Sequence, residues 1–186
     1  SKKDTLKFDK KGISESWYYS RLKKKINYNL REKKLLKLLE KHRGKHGQYD
    51  CIVPGSGGKD SGYAAHVLKF KYGMNPLLVT WPPILYTTYG YKNFKNWINL
   101  GKFKNISAKR DEKTMKILTK LSILNLLHPF QTFILGQKIF AVKMAIKYKI
   151  PLVFYGEHEA EHGSLPIADN YESLRKKSFF TFKNLN

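Results

Sequence analysis

The residues most able to do chemistry are gathered in one short stretch, Asp50-Cys51-Ile52-Val53-Pro54-Gly55-Ser56-Gly57-Gly58-Lys59-Asp60-Ser61. An apolar strand here runs into a glycine-rich turn and then a helix. Glycines let a chain turn tightly and bring its N–H groups against a ligand, and the helix adds its positive N-terminal end. A phosphate suits such a place. Lys59 supplies a mobile cation, Ser56 and Ser61 supply hydroxyl donors, and Asp60 supplies a carboxylate able to hold magnesium or a reacting group.

Two commoner phosphate loops are excluded by spacing. A nucleotide loop of the Walker A type needs Gly six residues before the lysine and Ser or Thr after it, where this chain has Val53 and Asp60. The dinucleotide pattern Gly-x-Gly-x-x-Gly, begun at Gly55 and Gly57, meets Asp60 in place of its third glycine. The remaining stretch, Ser56-Gly57-Gly58-Lys59-Asp60-Ser61, resembles the signature of the PP-loop ATP pyrophosphatases at every position. Such enzymes split ATP between its α and β phosphates.

The elements that must position this loop can be read from Tyr49 onward as alternating strands and helices, which predicts an α/β fold with an open parallel sheet and flanking helices. Strands are expected at 50–54, 76–80, 105–108 and 152–155, with helices at 61–72, 91–100, 111–127 and 136–148. In the third of these helices, Met115, Leu118, Leu121 and Leu124 recur at helical spacing and are expected to face the core. Before the sheet, residues 29–43 read as an amphipathic helix, and Leu6 to Ser14 as a hairpin or extended arm. The domain reading is 1–48 for the arm and helix, 49–163 for the nucleotide-binding α/β domain, and 164–186 for the start of a C-terminal region.

Ligands of open α/β sheets bind at the carboxyl ends of strands, where the strand order reverses. Thr80 and Trp81 after the second strand, and Glu157 after the fourth, are expected there beside the loop. Glu157 stands nearest its strand end. Trp81 is a candidate either to stack on an adenine or to pack within its proline-bounded loop.

Lys and Arg outnumber Asp and Glu 36 to 14, a formal charge of +22. The lysines are spread along the chain instead of forming a block, so a nucleic-acid partner is not the favoured reading, although the field would concentrate any polyanion. One cysteine, Cys51, excludes an internal disulfide and a Cys-pair metal site. No apolar run approaches the roughly 20 residues that span a bilayer. A cytoplasmic protein with no membrane partner is expected. His158-Glu159-Ala160-Glu161-His162 matches the zinc-protease motif in form, but it leaves a strand through Gly156, is ended by Gly163 and has no histidine after it.

Beyond the loop, the chain is similar to the N-acetyl sugar amidotransferases, PP-loop enzymes of surface-polysaccharide and nonulosonic acid pathways. The likeness extends through Tyr72-Gly73-Met74-Asn75-Pro76-Leu77, Val79-Thr80-Trp81, Leu127-His128-Pro129-Phe130-Gln131, Gly136-Gln137-Lys138 and Ile150-Pro151-Leu152-Val153-Phe154-Tyr155-Gly156-Glu157. The resemblance implies the adenine nucleotide alpha hydrolase (HUP) fold and conversion of a sugar acetamido group to acetamidino. Adenylation by ATP would make the amide oxygen a leaving group, and ammonia would then displace AMP. It implies ATP held by Gly55, Ser56, Gly57, Gly58, Lys59, Asp60 and Ser61 with Thr80 and Trp81, and magnesium at Asp60 and Glu157. Lys59, Asp60, Lys138 and Glu157 would be the catalytic residues, with Tyr86, Tyr89, Tyr91 and Trp97 against the sugar or in the loop core. Ammonia would come from a glutaminase and a synthase-like companion, since Cys51 sits inside a strand and cannot be a glutaminase nucleophile. Family members continue past Asn186, so the chain is expected to carry the nucleotide-binding part of a longer enzyme. Two other readings stand beside this one: a tRNA-modifying PP-loop enzyme of the lysidine type, which the charge would serve, and a nucleotide-binding subunit without catalysis.

Overall fold

The protein is described by a computed structural model over residues 8–14, 17–18, 20–21, 24–45 and 48–157. The chain divides into two compact units, one of Ser1–Leu30 with His158–Asn186 and the other of Arg31–Glu157. In the first unit Phe8 and Ser14 form an antiparallel bridge around a turn in which Asp9 Oδ1 accepts from the backbone of Lys11 and Ile13. The His158 to His162 motif and residues 164–186 lie outside the described residues.

The second unit is an α/β structure, an open three-stranded parallel sheet with five helices among the described residues, of the Rossmann-like type. Helix α1 spans Tyr28–His42, β1 Cys51–Pro54, α2 Lys59–His66, β2 Pro76–Thr80, α3 Thr88–Leu100, β3 Lys104–Ser107, α4 Glu112–Leu126 and α5 Gln131–Tyr148. The strands pair in the order β1-β2-β3, with Ile52 opposite Leu77 and Leu78 opposite Asn105.

Successive strand residues point to opposite faces, and both faces of β1 and β2 are apolar, as a parallel sheet covered by helices requires. On one face Cys51, Val53 and Leu78 pack with Leu39 of α1, Ala65 of α2, Leu68 and Phe103. On the other, Ile52, Leu77 and Val79 pack with Ala141 and Met144 of α5 and with Ile150. Burying each large aliphatic side chain contributes about 1.5–3 kcal/mol. Asp50, just before β1, spends its buried carboxylate on two backbone donors, Gly44 N at 2.7 Å and Asn75 N at 2.8 Å, which ties the starts of β1 and β2 together. After His66 helix α2 widens into a π turn, Val67–Lys71, closed by Tyr72 N donating to Val67 O. Arg43 then caps it, its guanidinium donating to the carbonyls of Tyr72 and Gly73.

Four expectations change. The fourth strand reduces to one parallel bridge between Val153 and Ile52, made by Ile52 N to Leu152 O and Phe154 N to Ile52 O. The next rung would need a donor at Pro54, and proline has none. Helix α5 begins at Gln131, five residues before the expected start at Gly136, because Pro129 and the left-handed Leu127 (φ 50°) already complete the turn from α4. Helix α3 starts at Thr88, where the Thr87 hydroxyl accepts from Gly90 N as an N-cap. The expected core stripe of α4 is not core: Leu118, Leu121 and Leu124 are exposed, and Ser122 is the one buried residue of that helix. Met115, Thr119 and Ser122 line its inner side, with Ser122 Oγ 3.4 Å from Thr132 Oγ1 of α5.

Candidate functional site

The last rung of the β1–β2 ladder is Gly55 N to Val79 O at 3.0 Å, after which the chain leaves the sheet. The backbone at Gly57 has φ +94°, and a Cβ there would stand 2.6 Å from Phe94 Cα and 2.7 Å from Phe94 N. Both the conformation and the space demand glycine. Gly58 is the N-cap of α2 in extended conformation, no side chain caps the helix, and a Cβ at Gly58 would meet nothing within 4 Å. The first intrahelical bond is Gly62 N to Gly58 O, so the N–H groups of Lys59, Asp60 and Ser61 precede it in the turn where a helix leaves its donors without internal acceptors. Ser61 Oγ lies 3.2 Å from Gly58 O.

Because Val153 bridges to the side of β1 away from β2, the strand order reverses at β1, and the loop sits at that reversal. The segment beyond Val153 reaches the loop directly. A Cβ on Gly156 would lie 2.4 Å from Ser61 N, 2.5 Å from Asp60 C and 2.7 Å from Ser61 Cα, so the two backbones are in contact without it. Glu157, exposed, follows at once. Lys59 Nζ donates to Asp60 Oδ1 at 2.8 Å, with side chains 90% and 41% exposed. Its ammonium is held above the ordinary lysine range by that bond first and then by the charges of Asp60 and Glu157. An ion pair this open is weak and costs little to exchange for another anion.

Of the residues expected from sequence, the structure brings Gly55, Ser56, Gly57, Gly58, Lys59, Asp60, Ser61 and Glu157 together. Thr80 lies at the end of β2 but is fully buried, its hydroxyl donating to Asn105 Oδ1 and its carbonyl accepting from Ala108 N, so it serves the sheet. The Trp81 indole packs against α5, where a Cβ on Gly136 would strike it at 2.1 Å, and against Phe140. Lys138 is half-buried on α5, two residues beyond Gly136. Trp97 lies under the loop beside Gly55 and Gly62, and Tyr86 stacks on Phe94 behind Gly57. Tyr86 Oη, Trp81 Nε1 and Trp97 Nε1 are buried with no hydrogen-bond partner among the described residues. Burial pushes the Tyr86 phenol up, partly offset by the Arg110 guanidinium, which donates to Pro83 O. Tyr89 and Tyr91 are exposed on α3.

Sequence reasoning placed Gly156 near the site, in the segment after the fourth strand, and did not place Phe94 there. Gly156 had a signal, a glycine between a strand and a candidate acid. Phe94 had none, since its contact with Gly57 is made only by folding.

The arrangement can hold a polyanion: helix donors, an adjacent cation, and two carboxylates at the margin. Magnesium usually takes one or two carboxylates with substrate phosphates and water, and Asp60 and Glu157 fit that donor set. Among the described residues no group of three or more His, Cys, Asp and Glu is placed to hold a metal by itself. No protein-family model and no curated protein matches the chain.

Proposed function

We propose that this chain binds ATP at the loop after β1 and is the nucleotide-binding part of an ATP-dependent amidotransferase that converts a sugar acetamido group to acetamidino. The observation that carries the reading is the meeting of the uncapped α2 N-terminus, Lys59, Asp60 and Glu157 at the point where the strand order reverses. The PP-loop or HUP member of the Rossmann-like folds is the form we infer.

An amide oxygen is a poor leaving group, and the adenylyl group that ATP supplies would correct that. The chain's own tasks follow. Backbone donors of Lys59 and its neighbours, with the Lys59 ammonium, would stabilise charge developing on departing pyrophosphate, as preorganised donors do. Gly58, with open space before it, lets phosphate approach the backbone. Asp60 and Glu157 would hold magnesium, which supplies neutralising charge between phosphates. Lys138 would contact phosphate or sugar, and the exposed Tyr89 and Tyr91 are the sugar-facing candidates, whereas Tyr86 and Trp97 form the packing beneath the loop. A glutaminase with a synthase-like companion would supply ammonia.

Titration calorimetry with magnesium and ATP tests the first half: Lys59→Ala weakens binding or abolishes pyrophosphate release, and equal values in both proteins refute the assignment. In the complete assembly ATP consumption requires an acetamido sugar, and replacing O by NH lowers the sugar mass by about 1 Da while creating a guanidinium-like cation. Stimulation by tRNA and not by a sugar would give the tRNA-modifying reading, which the charge of +22 favours.

A further inference from the structure

From Lys113 to Gly156 the chain has seven lysines and no aspartate or glutamate. This stretch contains α5 and all of α4 after its first residue, Glu112; the two contacting helices are joined by residues 127–130. Their apolar residues are divided oddly. Helix α5 turns Ala141 and Met144 to the sheet and leaves Ile139, Val142 and Ile146 exposed at i, i+3 and i+7, Ile146 by 74%. Helix α4 approaches α5 through Ser122, has Met115 and Thr119 half-buried, and leaves Ile117, Leu118, Leu121 and Leu124 exposed, Leu124 by 66%. At the connection Leu127 is 89% exposed and Phe130 54%.

Large apolar residues left exposed in such number on two adjoining helices suit an interaction site on a folded protein. The charges around it choose the occupant. Lys113 and Lys120 stand one turn before Ile117 and Leu124, and Lys143 lies between Ile139 and Ile146, all exposed. Lysines so placed bury their stems along apolar surface and carry the ammonium to its edge. A second copy of the chain would bring the same lysines against one another, with Asp111 and Glu112 at the start of α4 the only carboxylates on the pair to answer them.

We propose that the α4–α5 pair docks on an anionic lipid surface, with Leu121, Leu124 and Leu127 entering the acyl boundary and the flanking lysines meeting the phosphates. Apolar residues beside a lysine-rich margin are the composition of helices that lie in a membrane interface. No described helix is long and apolar enough to cross a membrane, so the contact is with one surface. The inference is independent of the nucleotide reading.

The test is flotation of the full chain with vesicles of equal parts phosphatidylglycerol and phosphatidylcholine, beside vesicles of phosphatidylcholine alone. The chain should float with the anionic vesicles and not with the neutral ones. Leu124→Glu with Leu127→Glu should reduce the bound fraction more than about tenfold, and Lys113→Gln with Lys120→Gln should reduce it and flatten its salt dependence. Both pairs are exposed, and unchanged thermal melts would show that folding is intact. Three results overturn the proposal: no binding to anionic vesicles at low salt, equal binding by the leucine variant, or a dimer in sedimentation that the leucine variant dissolves.

Discussion

Replacing Gly156 by alanine probes the backbone contact between the two halves of the site. The added Cβ would sit 2.4–2.7 Å from three backbone atoms of Asp60 and Ser61, none of which can swing aside as a side-chain tip would. Its φ lies outside the left-handed region, so the cost is contact alone. Overpacking of this kind costs about 1–3 kcal/mol. For a chain of this size each kcal/mol moves the melting temperature by about 2–4 °C, so a loss of about 2–12 °C is expected. The same push displaces the first turn of α2 and should weaken ATP binding. Gly58→Ala is the control for stability alone, since its Cβ would occupy the space through which phosphate is proposed to approach. Its Cβ meets nothing, and the gain of about 0.4–1 kcal/mol from a stiffer unfolded chain offsets a similar loss from placing alanine at an N-cap. Thermal melts with parallel calorimetric titration of ATP decide the matter. A Gly156→Ala protein that melts with Gly58→Ala and wild type, and binds ATP as wild type does, would refute the contact.

The remaining predictions concern two other groups. Burial pushes the Cys51 thiol up to about 12, with the Asp50 charge adding to it. The folded protein should therefore resist maleimide at neutral pH and react fully once unfolded in guanidinium; stoichiometric labelling of both at one rate would contradict this. Glu32 accepts from Lys71 Nζ at 2.6 Å and Tyr72 Oη at 2.8 Å, and its carboxyl is held below the ordinary range by the Lys71 bond first. A carboxylate lowered on folding stabilises above its unfolded range, and that contribution is lost as the pH falls through its folded value. Glu32→Gln should thus melt below wild type near neutral pH, with the gap closing in acid; a gap independent of pH would show that the ion pair contributes nothing.

The parts of the fold legible in the sequence are those where one physical requirement dominates. β1 and β2 are buried on both faces and so read as unbroken apolar runs. The glycine loop combines a left-handed position, a close approach and charged residues, which leaves little else for it to be. β3 is half-exposed, with Lys104, Asn105 and Ser107 around Ile106, and its bounds shift by one residue for want of contrast. The α4 stripe shows the limit of periodicity: it reveals that a helix has an apolar side and not which side meets its neighbour. Gly136 looked like a helix start because glycine disfavours helices, whereas it lies within α5 to make room for the Trp81 indole. The meeting of Gly156 with Ser61 depends on pairing between distant segments, which no local pattern carries.

Pro54 has one further effect. By lacking an N–H it leaves the segment that carries Glu157 joined to β1 through a single bridge, while the β2 side of β1 is held by four consecutive pairs. The two halves of the site therefore hang from one strand with unequal strength. Small openings of a protein begin where backbone bonding is sparsest, so the segment carrying Gly156 and Glu157 should part from β1 before the β1–β2 ladder does, and the proline sets that order.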